Sequence, residues 1–293
     1  MNGIAMELVW LEDFNALAES GNFSRAAEQR HVTQPAFSRR IRALENWVGV
    51  DLFERTPHGA TLTEAGHHLQ GSARDLTRRL YQMRQEAREI AGKQARTLHF
   101  AATHSLSFTF FPAWVRTAER NGPLEAIRLL SDNMTVCEQM LLGGEAQFLL
   151  CHQHPDVPPR FAGEAFRSNV VGSDLLLPLC TPEVAGQSPL PQLSYTAESG
   201  LGRILAAHLA RCPLTVPVNI VFSSHLAAVL LSMALEGKGF AWLPRTLAEQ
   251  DMIAGRLVPA LDKAWEIPVD IRLFRPNADL GDFAEAFWAR LAS

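Results

Sequence analysis

Lysine is scarce in this sequence. Only Lys93, Lys238 and Lys263 occur, so almost all of the 27 lysine and arginine residues are arginine. A guanidinium group favours planar, bidentate contacts, although genomic base composition explains a low lysine content equally well. The formal net charge of −4 excludes a chain that binds polyanions through its overall charge. Any such binding must therefore come from a local basic patch.

Cysteine is also rare, and long apolar runs are absent. The 4 cysteines, Cys137, Cys151, Cys180 and Cys212, show no C-x-x-C spacing, which favours buried free thiols over a disulfide switch. The tract from Cys151 to His154 has too few neighbouring ligands for structural zinc, and we expect no metal or other cofactor. No apolar run reaches the roughly 18 residues that span a bilayer, and the N-terminus lacks a signal-peptide pattern. We therefore expect a cytoplasmic protein that has no membrane partner.

The sequence also lacks the common catalytic motifs. It contains no G-x-S-x-G elbow, Walker loop, H-E-x-x-H pair or dinucleotide fingerprint. His104 lies close to Ser105 and Ser107, but no adjacent carboxylate is present to orient a histidine–serine pair. We therefore predict that the chain is not an enzyme.

A short helix, a tight turn and a longer helix are predicted between residues 23 and 55. Ser24 is a plausible N-cap for the first helix and Thr33 for the second, and Pro35 falls in a first turn, where its missing N–H costs nothing. Apolar residues then recur at spacings of four and three and form one buried face: Phe37, Ile41 and Leu44. The opposite face carries hydrogen-bonding side chains: Gln34, Ser38, Arg39 and Arg42. Such a helix suits the major groove of DNA, where arginine reads guanine and glutamine reads adenine.

A wing is predicted after the second helix. The sequence following Gly49 indicates two short strands around a turn at Pro57-His58-Gly59. Arg55 and Thr61 would flank that turn, within reach of phosphates or the minor groove. One arginine cluster is the only candidate for a local basic patch: Arg25, Arg30, Arg39, Arg40, Arg42 and Arg55. An ordinary amphipathic helix with a solvated arginine face is the alternative, but the order of caps, turn and wing favours DNA binding.

This region resembles the LysR-type transcriptional regulators. The matching stretches are Asn22-Phe23-Ser24-Arg25-Ala26-Ala27, Thr33-Gln34-Pro35-Ala36-Phe37-Ser38-Arg39-Arg40-Ile41, Leu44-Glu45, Gly49-Val50, Leu52-Phe53-Glu54-Arg55 and Leu62-Thr63-Glu64-Ala65-Gly66. The resemblance implies a winged helix-turn-helix whose second helix enters the groove of a double-stranded DNA operator. The candidate DNA-binding residues are Ser24, Arg25, Thr33, Gln34, Pro35, Ser38, Arg39, Arg42, Arg55 and Thr61.

A long helix is predicted from residue 62 to residue 90. Its apolar residues keep close to a three–four alternation, the period of a two-helix seam: Leu62, Leu69, Ala73, Leu76, Leu80, Met83, Ala87 and Ile90. A helix of this length extends about 45 Å, which is too long for a surface helix of a small domain. We therefore predict a dimerisation helix in a homodimer or homotetramer. The alternative is a single helix that folds back on its own core.

Beyond a polar break at residues 92–97, short apolar strands alternate with helical segments. This alternation predicts an α/β domain with a mostly parallel sheet. The predicted strands are 98–102, 126–130, 147–151, 169–171, 175–180, 216–222, 240–243 and 267–274, and the predicted helices are 107–119, 135–142, 201–211, 225–235 and 282–291. The resemblance further implies an effector domain of two lobes joined by two crossing strands, like the periplasmic solute-binding proteins.

The predicted fold is therefore an N-terminal all-α winged helix-turn-helix with a long linker helix, followed by a C-terminal α/β two-lobed periplasmic-binding-protein-like effector domain. The DNA-binding domain takes residues 1–61, the linker or dimerisation helix 62–94, and the effector-binding regulatory domain 95–293. Within the last, lobe I comprises 95–174 and 268–293, and lobe II comprises 175–267.

Two turns of the predicted effector domain carry hydroxyl and imidazole groups: Thr103, His104, Ser105 and Ser107 in one, and Ser223, Ser224 and His225 in the other. Each turn follows a strand and opens a helix, and such turns are ready anion sites at the carboxyl ends of strands. Both turns would line one effector cleft if the lobes face each other. The alternative is that the hydroxyls only cap helices. Arg203 would either hold an anionic effector or pair with Glu198 at the surface.

Three stretches narrow the resemblance to the hypochlorite-responsive branch of the family: Ala101-Ala102-Thr103-His104-Ser105-Leu106-Ser107, Gly202-Arg203 and Phe240-Ala241-Trp242-Leu243-Pro244. That branch is associated with oxidant sensing through methionine in the effector domain. Here Leu201 stands before Gly202, where the branch leads us to expect methionine. Met134, Met140 and Met233 fall in helical patterns that are typical of core residues.

We predict a sequence-specific transcriptional regulator whose DNA binding or promoter activation responds to a small effector or an oxidant. Its partners would be the operator, that effector and further copies of the chain, with RNA polymerase as a candidate. The alternative is an α/β solute-binding or catalytic module with an attached DNA-binding domain. Turnover of a small substrate by a fragment that starts near Ala95 would favour this alternative.

Overall fold

The structure is a computed structural model and describes residues 6–56, 59–90, 97–119, 126–159, 161 and 165–291. The chain forms two compact units. The first includes Met1–Ala91, and the second includes Gly92–Leu141 and Ala146–Ser293. The polar break predicted at 92–97 lies almost entirely outside the described residues. None of the described helices is both long and apolar enough to cross a membrane.

The first unit is a helix-turn-helix with a two-stranded wing and a long final helix. Its elements are α1 (Leu8–Ser20), α2 (Phe23–Gln29), α3 (Gln34–Val48), β1 (Phe53–Thr56), β2 (Gly59–Leu62) and α4 (Glu64–Ile90). The two strands pair antiparallel, with Phe53 opposite Leu62 and Thr56 opposite Gly59. Pro57 and His58 of the predicted turn lie outside the described residues.

The N-cap predicted for the first helix of the motif is wrong. Asn22, not Ser24, caps α2, and its side-chain Oδ1 accepts hydrogen bonds from the N–H groups of Ser24 at 3.0 Å and Arg25 at 3.1 Å. An asparagine cap satisfies the same orphan N–H groups as a serine cap, so the helix simply starts earlier, at Phe23. Thr33 is the N-cap residue of α3, with Pro35 in its first turn, although the Thr33 side chain makes no capping hydrogen bond.

The core of the first unit is formed where α1 and α3 pack together. Its fully buried side chains include Phe14, Leu17, Phe37, Ile41 and Leu44. The wing is fixed against the end of α1, because the Ala60 N–H donates to the Gly21 carbonyl at 2.8 Å. A Cβ atom at Gly59 would lie 2.2 Å from that carbonyl oxygen, so only glycine permits this approach.

The second unit has an α/β structure. Its strands are β3 (Thr97–Thr103), β4 (Ala126–Asp132), β5 (Phe148–Gln153), β6 (Phe166–Cys180), β7 (Leu190–Tyr195), β8 (Val218–Ser224), β9 (Ala241–Pro244), β10 (Val258–Pro259) and β11 (Ile267–Pro276). Its helices are α5 (His104–Thr109), α6 (Phe111–Glu119), α7 (Met134–Leu142), α8 (Gly200–Arg211), α9 (Ala227–Leu235), α10 (Arg245–Ile253) and α11 (Asp282–Leu291).

The long strands β6 and β11 run through both halves of this unit. They pair with each other antiparallel along the whole of β11, which lies beside residues 166–176 of β6. We call the half built on β3, β4 and β5 lobe I, and the half built on β7, β8 and β9 lobe II. The sheet is mixed and not mostly parallel as predicted: β3 is parallel to β4 and β5, whereas β11 is antiparallel to β5 and β6 is antiparallel to β9 and β10. The two crossing strands cause the difference, because each returns past strands of the opposite direction.

Three further differences from the predicted elements have local causes. The strands predicted at 169–171 and 175–180 are one strand, since the polar residues between them lie where β6 crosses from one lobe to the other. The helix predicted at 107–119 is two helices, α5 and α6, which Phe110 separates, with Pro112 in the first turn of α6. The predicted elements do not include strands β7 and β10 or helix α10.

Each lobe has its own hydrophobic core. In lobe I the rings of Phe100 and Phe148 are stacked with centroids 5.1 Å apart, and Phe287 of α11 packs edge-on against Phe100 at 5.5 Å. In lobe II, Trp242 of β9 is fully buried, and its Nε1–H donates to the Trp265 carbonyl at 3.1 Å. Because the lobe I strands β3, β4 and β5 are parallel, their carboxyl ends form one edge of the sheet. Parallel strands commonly present binding residues at this edge.

Candidate DNA interface and effector cleft

The polar face of α3 is exposed, as a groove-reading helix requires. Of the ten candidate DNA-binding residues, only Ser38 is partly buried, and the others are exposed: Ser24, Arg25, Thr33, Gln34, Pro35, Arg39, Arg42, Arg55 and Thr61. The opposite face of the same helix is anchored in the core through Phe37, Ile41 and Leu44. A rigid helix thus presents amide, hydroxyl and guanidinium groups to solvent on one side.

The arginine cluster divides into two groups. Arg30 pairs with Glu12 and Asp13 of α1, and Arg40 pairs with the same Asp13 at 3.4 Å. These two arginines are occupied within the first unit. The candidate DNA-binding residues do not include these two arginines, but their acidic partners lie on a different helix and could not be identified from the sequence pattern. The exposed arginines of the cluster are Arg25, Arg39, Arg42 and Arg55.

Arg55 joins the wing to the recognition helix. Its Nη2 donates to the Ser38 hydroxyl at 3.2 Å, and its guanidinium lies 4.6 Å from the ring centroid of Phe23. A cation over an aromatic face is stabilised by the ring quadrupole. The Arg55 side chain is therefore held beside the exposed edge of α3.

Arg39→Ala is expected to weaken operator binding by about 1–3 kcal/mol, because a bidentate arginine–guanine contact is worth that much. Arg39 is exposed on the polar side of α3. The measurement is a gel-shift titration of an operator that the protein has selected from a random-sequence pool, and of variants of that operator at each base pair. The matched control is Arg79→Ala, which changes an exposed arginine of α4. Unchanged affinity together with unchanged sequence preference would remove Arg39 from base reading.

Helix α4 has two parts with different surroundings. Leu69 and Ala73 pack on the core of the first unit. This packing is what the alternative prediction, a helix that folds back on its own core, leads us to expect. Further along, three apolar side chains face solvent: Leu76 is 56% exposed, Leu80 43% and Met83 63%. We call these three residues the α4 stripe. Of the other residues in the predicted seam, Leu62 lies in β2, Ala87 is exposed, and the side chain of Ile90 is outside the described residues.

A cleft in the second unit collects residues from both lobes. Four of the eight candidate effector residues line it: Thr103, His104, Ser105 and His225. The other residues along its wall are Asp132, Asn133, Met134, His152, Ser199, Gly200, Leu201 and Ala227. Its volume of about 30 Å³ corresponds to room for about two water molecules. Ser107, Arg203, Ser223 and Ser224 are not among the described residues that line it.

The histidines of the two predicted turns approach each other across the cleft. The rings of His104 and His225 have centroids 6.1 Å apart. His104 Nδ1 lies 3.1 Å from the Ser131 hydroxyl, which in turn donates to the Ser107 hydroxyl at 3.0 Å. Ser107 therefore contacts the His104 ring indirectly, through the Ser131 hydroxyl. Ser224 has a local role instead, because its hydroxyl accepts the Leu226 N–H at 3.1 Å just before α9.

Arg203 pairs with a carboxylate that the sequence did not suggest. Its Nη1 contacts both carboxylate oxygens of Glu138 at 3.0 Å, and its Nη2 donates to the Thr135 hydroxyl at 2.7 Å. The Glu138 side chain is only 2% exposed. The ion pair therefore joins α8 of lobe II to α7 of lobe I beside the cleft, and the partner could not be found from sequence spacing.

A second set of polar contacts joins the lobes through the crossing strand. The Asp174 carboxylate contacts His152 Nε2 at 3.0 Å and accepts from the Thr246 hydroxyl at 2.6 Å and the Leu175 N–H at 2.8 Å. Burial of the Asp174 carboxyl opposes its ionisation, but the bonds from His152, Thr246 and Leu175 outweigh burial and lower its pKa below the ordinary value. His152 lines the cleft. Asp174 therefore links a cleft residue to Thr246 at the start of α10.

Thr246→Val is expected to destabilise the protein by about 1.5–3 kcal/mol near pH 7, the usual worth of a hydrogen bond to a charged group. Because the folded-state pKa of Asp174 is lowered, ionised Asp174 contributes stability above its unfolded-state pKa and loses that contribution as the pH falls through the folded value. The difference between wild type and variant should therefore shrink as the pH falls below the ordinary pKa of an aspartate, about 3.9. Urea unfolding at several pH values measures it. A difference that is constant with pH would contradict the ionised carboxylate.

The cysteines are poorly placed for redox chemistry. Cys137, Cys151 and Cys180 are buried, and only Cys212 is exposed. Burial raises the pKa of Cys137 to about 12 and that of Cys180 to about 11, so little thiolate is present at neutral pH. Among the described residues, no group of three histidine, cysteine or carboxylate side chains has the arrangement of a metal site.

A winged helix-turn-helix with an exposed groove-reading face, followed in one chain by a two-lobed α/β domain with a polar cleft, defines an effector-responsive DNA-binding regulator. Residues 8–67 match the bacterial regulatory helix-turn-helix protein family of the LysR type, and residues 91–293 match the LysR substrate binding domain. The chain belongs to the LysR family of transcriptional regulators.

Similar proteins span nearly the whole chain. The HTH-type transcriptional regulator YjiE of Escherichia coli (strain K12) is 31% identical over 295 residues, which cover 98% of this chain and 94% of YjiE. The full-length structure of HypT from Salmonella typhimurium, a hypochlorite-specific LysR-type regulator, is 31% identical with a TM-score of 0.59, covering 98% of each chain. DarR of Vibrio fischeri, solved in complex with DNA, is 26% identical with a TM-score of 0.55 over 99% of each chain.

Proposed function

We propose that the chain binds a two-fold-symmetric operator as a dimer, and that an oxidant or another small inorganic effector acting in the cleft changes this binding. The observation that carries the proposal is the two-sided character of α3. Phe37 and Ile41 are buried to within 1% exposure on one side, while Gln34, Arg39 and Arg42 are exposed on the other. We propose that the ten candidate DNA-binding residues together form the surface that contacts the operator.

The α4 stripe supports the dimer. Its three large apolar side chains are exposed at spacings of four and three along one helix face, which is the pattern that a second helix covers in a two-helix seam. Two protomers joined in this way would place two recognition helices about a two-fold axis, and such an arrangement reads a pseudo-palindromic operator.

The size and lining of the cleft support a small effector. About 30 Å³ holds little more than two water molecules, so an aromatic or sugar-sized ligand would require the lobes to open. Gly200 and Leu201, in the first turn of α8, also line the cleft, and the first N–H groups of a helix have no partner within it. Helix N–H groups and three imidazoles suit a small anion. The likeness to hypochlorite-specific HypT makes hypochlorite the first candidate.

Met134 is the methionine placed to meet an oxidant in this cleft. It lines the cleft wall, although it is 4% exposed. Its sulfur lies 3.6 Å from the position that a Cβ atom would take on Gly200, the residue before Leu201. Sulfoxide formation would add a polar oxygen where the thioether packs, and the first turn of α8 would have to move. Met134 of α7 thus lies beside the first turn of α8. In that turn, at the position of Leu201, the resemblance led us to expect a methionine.

The test compares operator affinity before and after hypochlorite treatment of the full-length protein, with excess oxidant quenched before titration. We expect a change of about fivefold or more, typical of coupling between two sites. Met134→Leu should respond less than wild type, whereas Met252→Leu, at a partly buried position of α10 that is not among the described cleft-lining residues, should respond as wild type does. An unchanged affinity of the oxidised wild type would contradict the oxidant. An undiminished response of Met134→Leu would contradict the role of this methionine.

A further inference from the structure

Helices α1 and α4 of the first unit share a polar contact surface that neither core packing nor DNA contact explains. Three pairs form it: the Tyr81 hydroxyl donates to Glu12, Asn15 Nδ2 lies 3.5 Å from the Thr77 hydroxyl, and Arg74 lies 3.5 Å from Glu19. The pairs follow in reverse order along the two helices at spacings of three and four. We call this surface the α1–α4 seam. Spacings of three and four keep all members on facing sides of the two helices.

The seam continues to the recognition helix through two acidic residues of α1. Arg30, which follows α2, pairs with Glu12 and donates from Nε to Asp13 at 2.9 Å. Asp13 also accepts from Arg40 Nη1 at 3.4 Å. A continuous series of polar contacts therefore runs from Tyr81 on α4 to Arg40 on α3, on the side of α3 that does not carry Arg39.

The acidic members of this series of contacts are buried, and their burial holds the series in one arrangement. The Asp13 side chain is 0% exposed and that of Glu12 is 14% exposed. A buried carboxylate that loses a partner is strongly destabilised, so its partners are held in place. The hydrogen bond to Glu12 raises the pKa of Tyr81, which keeps the hydroxyl protonated as a donor. Movement of α4 against α3 therefore requires these contacts to break.

The α4 stripe and the α1–α4 seam lie on different faces of the same helix. At about 100° per residue, the stripe is centred roughly 120° around the helix axis from the seam residues Arg74, Thr77 and Tyr81. The seam thus fixes the rotation of α4 about its axis relative to α3. It thereby fixes the direction in which the stripe points relative to the groove-reading face.

We propose that this series of contacts sets the distance between the two recognition helices of a dimer, and that Tyr81 is a positioning residue for operator half-site spacing. The inference rests on the proposed dimer. Tyr81 is assigned no contact with DNA. Its hydroxyl acts through Glu12, Arg30 and Asp13 on the orientation of α3, and its loss would leave the base-reading side chains unchanged.

The test uses duplexes selected by the full-length protein from a random-sequence pool, followed by affinity titrations of the selected site with one or two base pairs inserted or removed between half-sites. Wild type is expected to select paired half-sites at one spacing. Tyr81→Phe, which removes only the hydroxyl, should select the same half-site sequence but bind the altered spacings about tenfold better relative to the best one, the size of a typical coupling. Arg79→Ala, on exposed α4 surface, is the control.

Glu12→Gln provides a second route to the same result. It should relax the spacing preference at least as much as Tyr81→Phe, and the double variant should match Glu12→Gln alone, because both changes break one series of contacts. A spacing profile of Tyr81→Phe identical to wild type, or a uniform loss of affinity at all spacings, would overturn the positioning role. Selection of single half-sites by the wild type would instead contradict the proposed dimer itself.

Discussion

Leu80→Glu is expected to convert the protein to a monomer and to reduce operator affinity by more than about 100-fold, because linking two binding modules raises affinity by a factor of that order. Leu80 is 43% exposed at the centre of the α4 stripe. A carboxylate at this position would have to be buried without a partner in the dimer, and such burial is costly. Sedimentation of the variant and a titration of the selected operator measure the two effects.

The control for this prediction is Gly71→Glu, at an exposed position of α4 where an added Cβ meets no atom within 4 Å. It introduces the same side chain, but roughly 150° around the helix axis from the stripe. We expect it to remain dimeric and to keep most of its operator affinity. If Leu80→Glu remained dimeric and bound the operator as wild type does, α4 would not be the dimerisation helix.

Arg203→Ala is expected to destabilise the protein by about 3–5 kcal/mol, because it leaves a buried carboxylate without its partner. Glu138 is 2% exposed and receives two guanidinium contacts from Arg203 at 3.0 Å. Since Arg203 lies on α8 and Glu138 on α7, the loss should also loosen the lobes beside the cleft. Urea unfolding of the full-length protein measures the change in the free energy of unfolding.

Two comparisons separate this ion pair from a surface effect. Arg211→Ala breaks an exposed pair with Asp156 and should cost at most about 1 kcal/mol. Replacing both partners, as Arg203→Met with Glu138→Leu, should recover much of the loss, because no buried charge then remains unpaired. A cost below about 1 kcal/mol for Arg203→Ala would show that Glu138 is adequately solvated without the guanidinium.

Local sequence patterns predicted the first unit well. The spacing of Phe37, Ile41 and Leu44 identified the buried face of α3, and Pro35 identified its first turn. The N-cap prediction was wrong, because Asn22 and Ser24 are both good N-cap residues and only the structure shows that the Asn22 side chain accepts the two N–H groups. Adjacent residues with similar propensity cannot be separated without the backbone geometry.

Contacts between distant parts of the chain could not be predicted. Arg30 and Arg40 belong to the same arginine cluster as Arg39, but the sequence did not show that Asp13 on another helix pairs with both of them. The sequence did not suggest that Arg203 pairs with Glu138, which lies on a helix of the other lobe. The mixed sheet has the same origin, because pairing of β6 with β11 joins residues about a hundred positions apart. Periodicity reports on one element at a time, and none of these partners shares an element.

A specificity ratio shows whether the exposed edge of α3 reads a base sequence. Fluorescence anisotropy at moderate salt would compare the full-length protein on its selected operator and on an unrelated duplex of equal length. We expect a preference of about 1,000-fold or more, as is typical of specific DNA-binding proteins, and a clear reduction of that ratio in Arg39→Ala. Equal affinity for the two duplexes would mean that α3 does not read the base sequence.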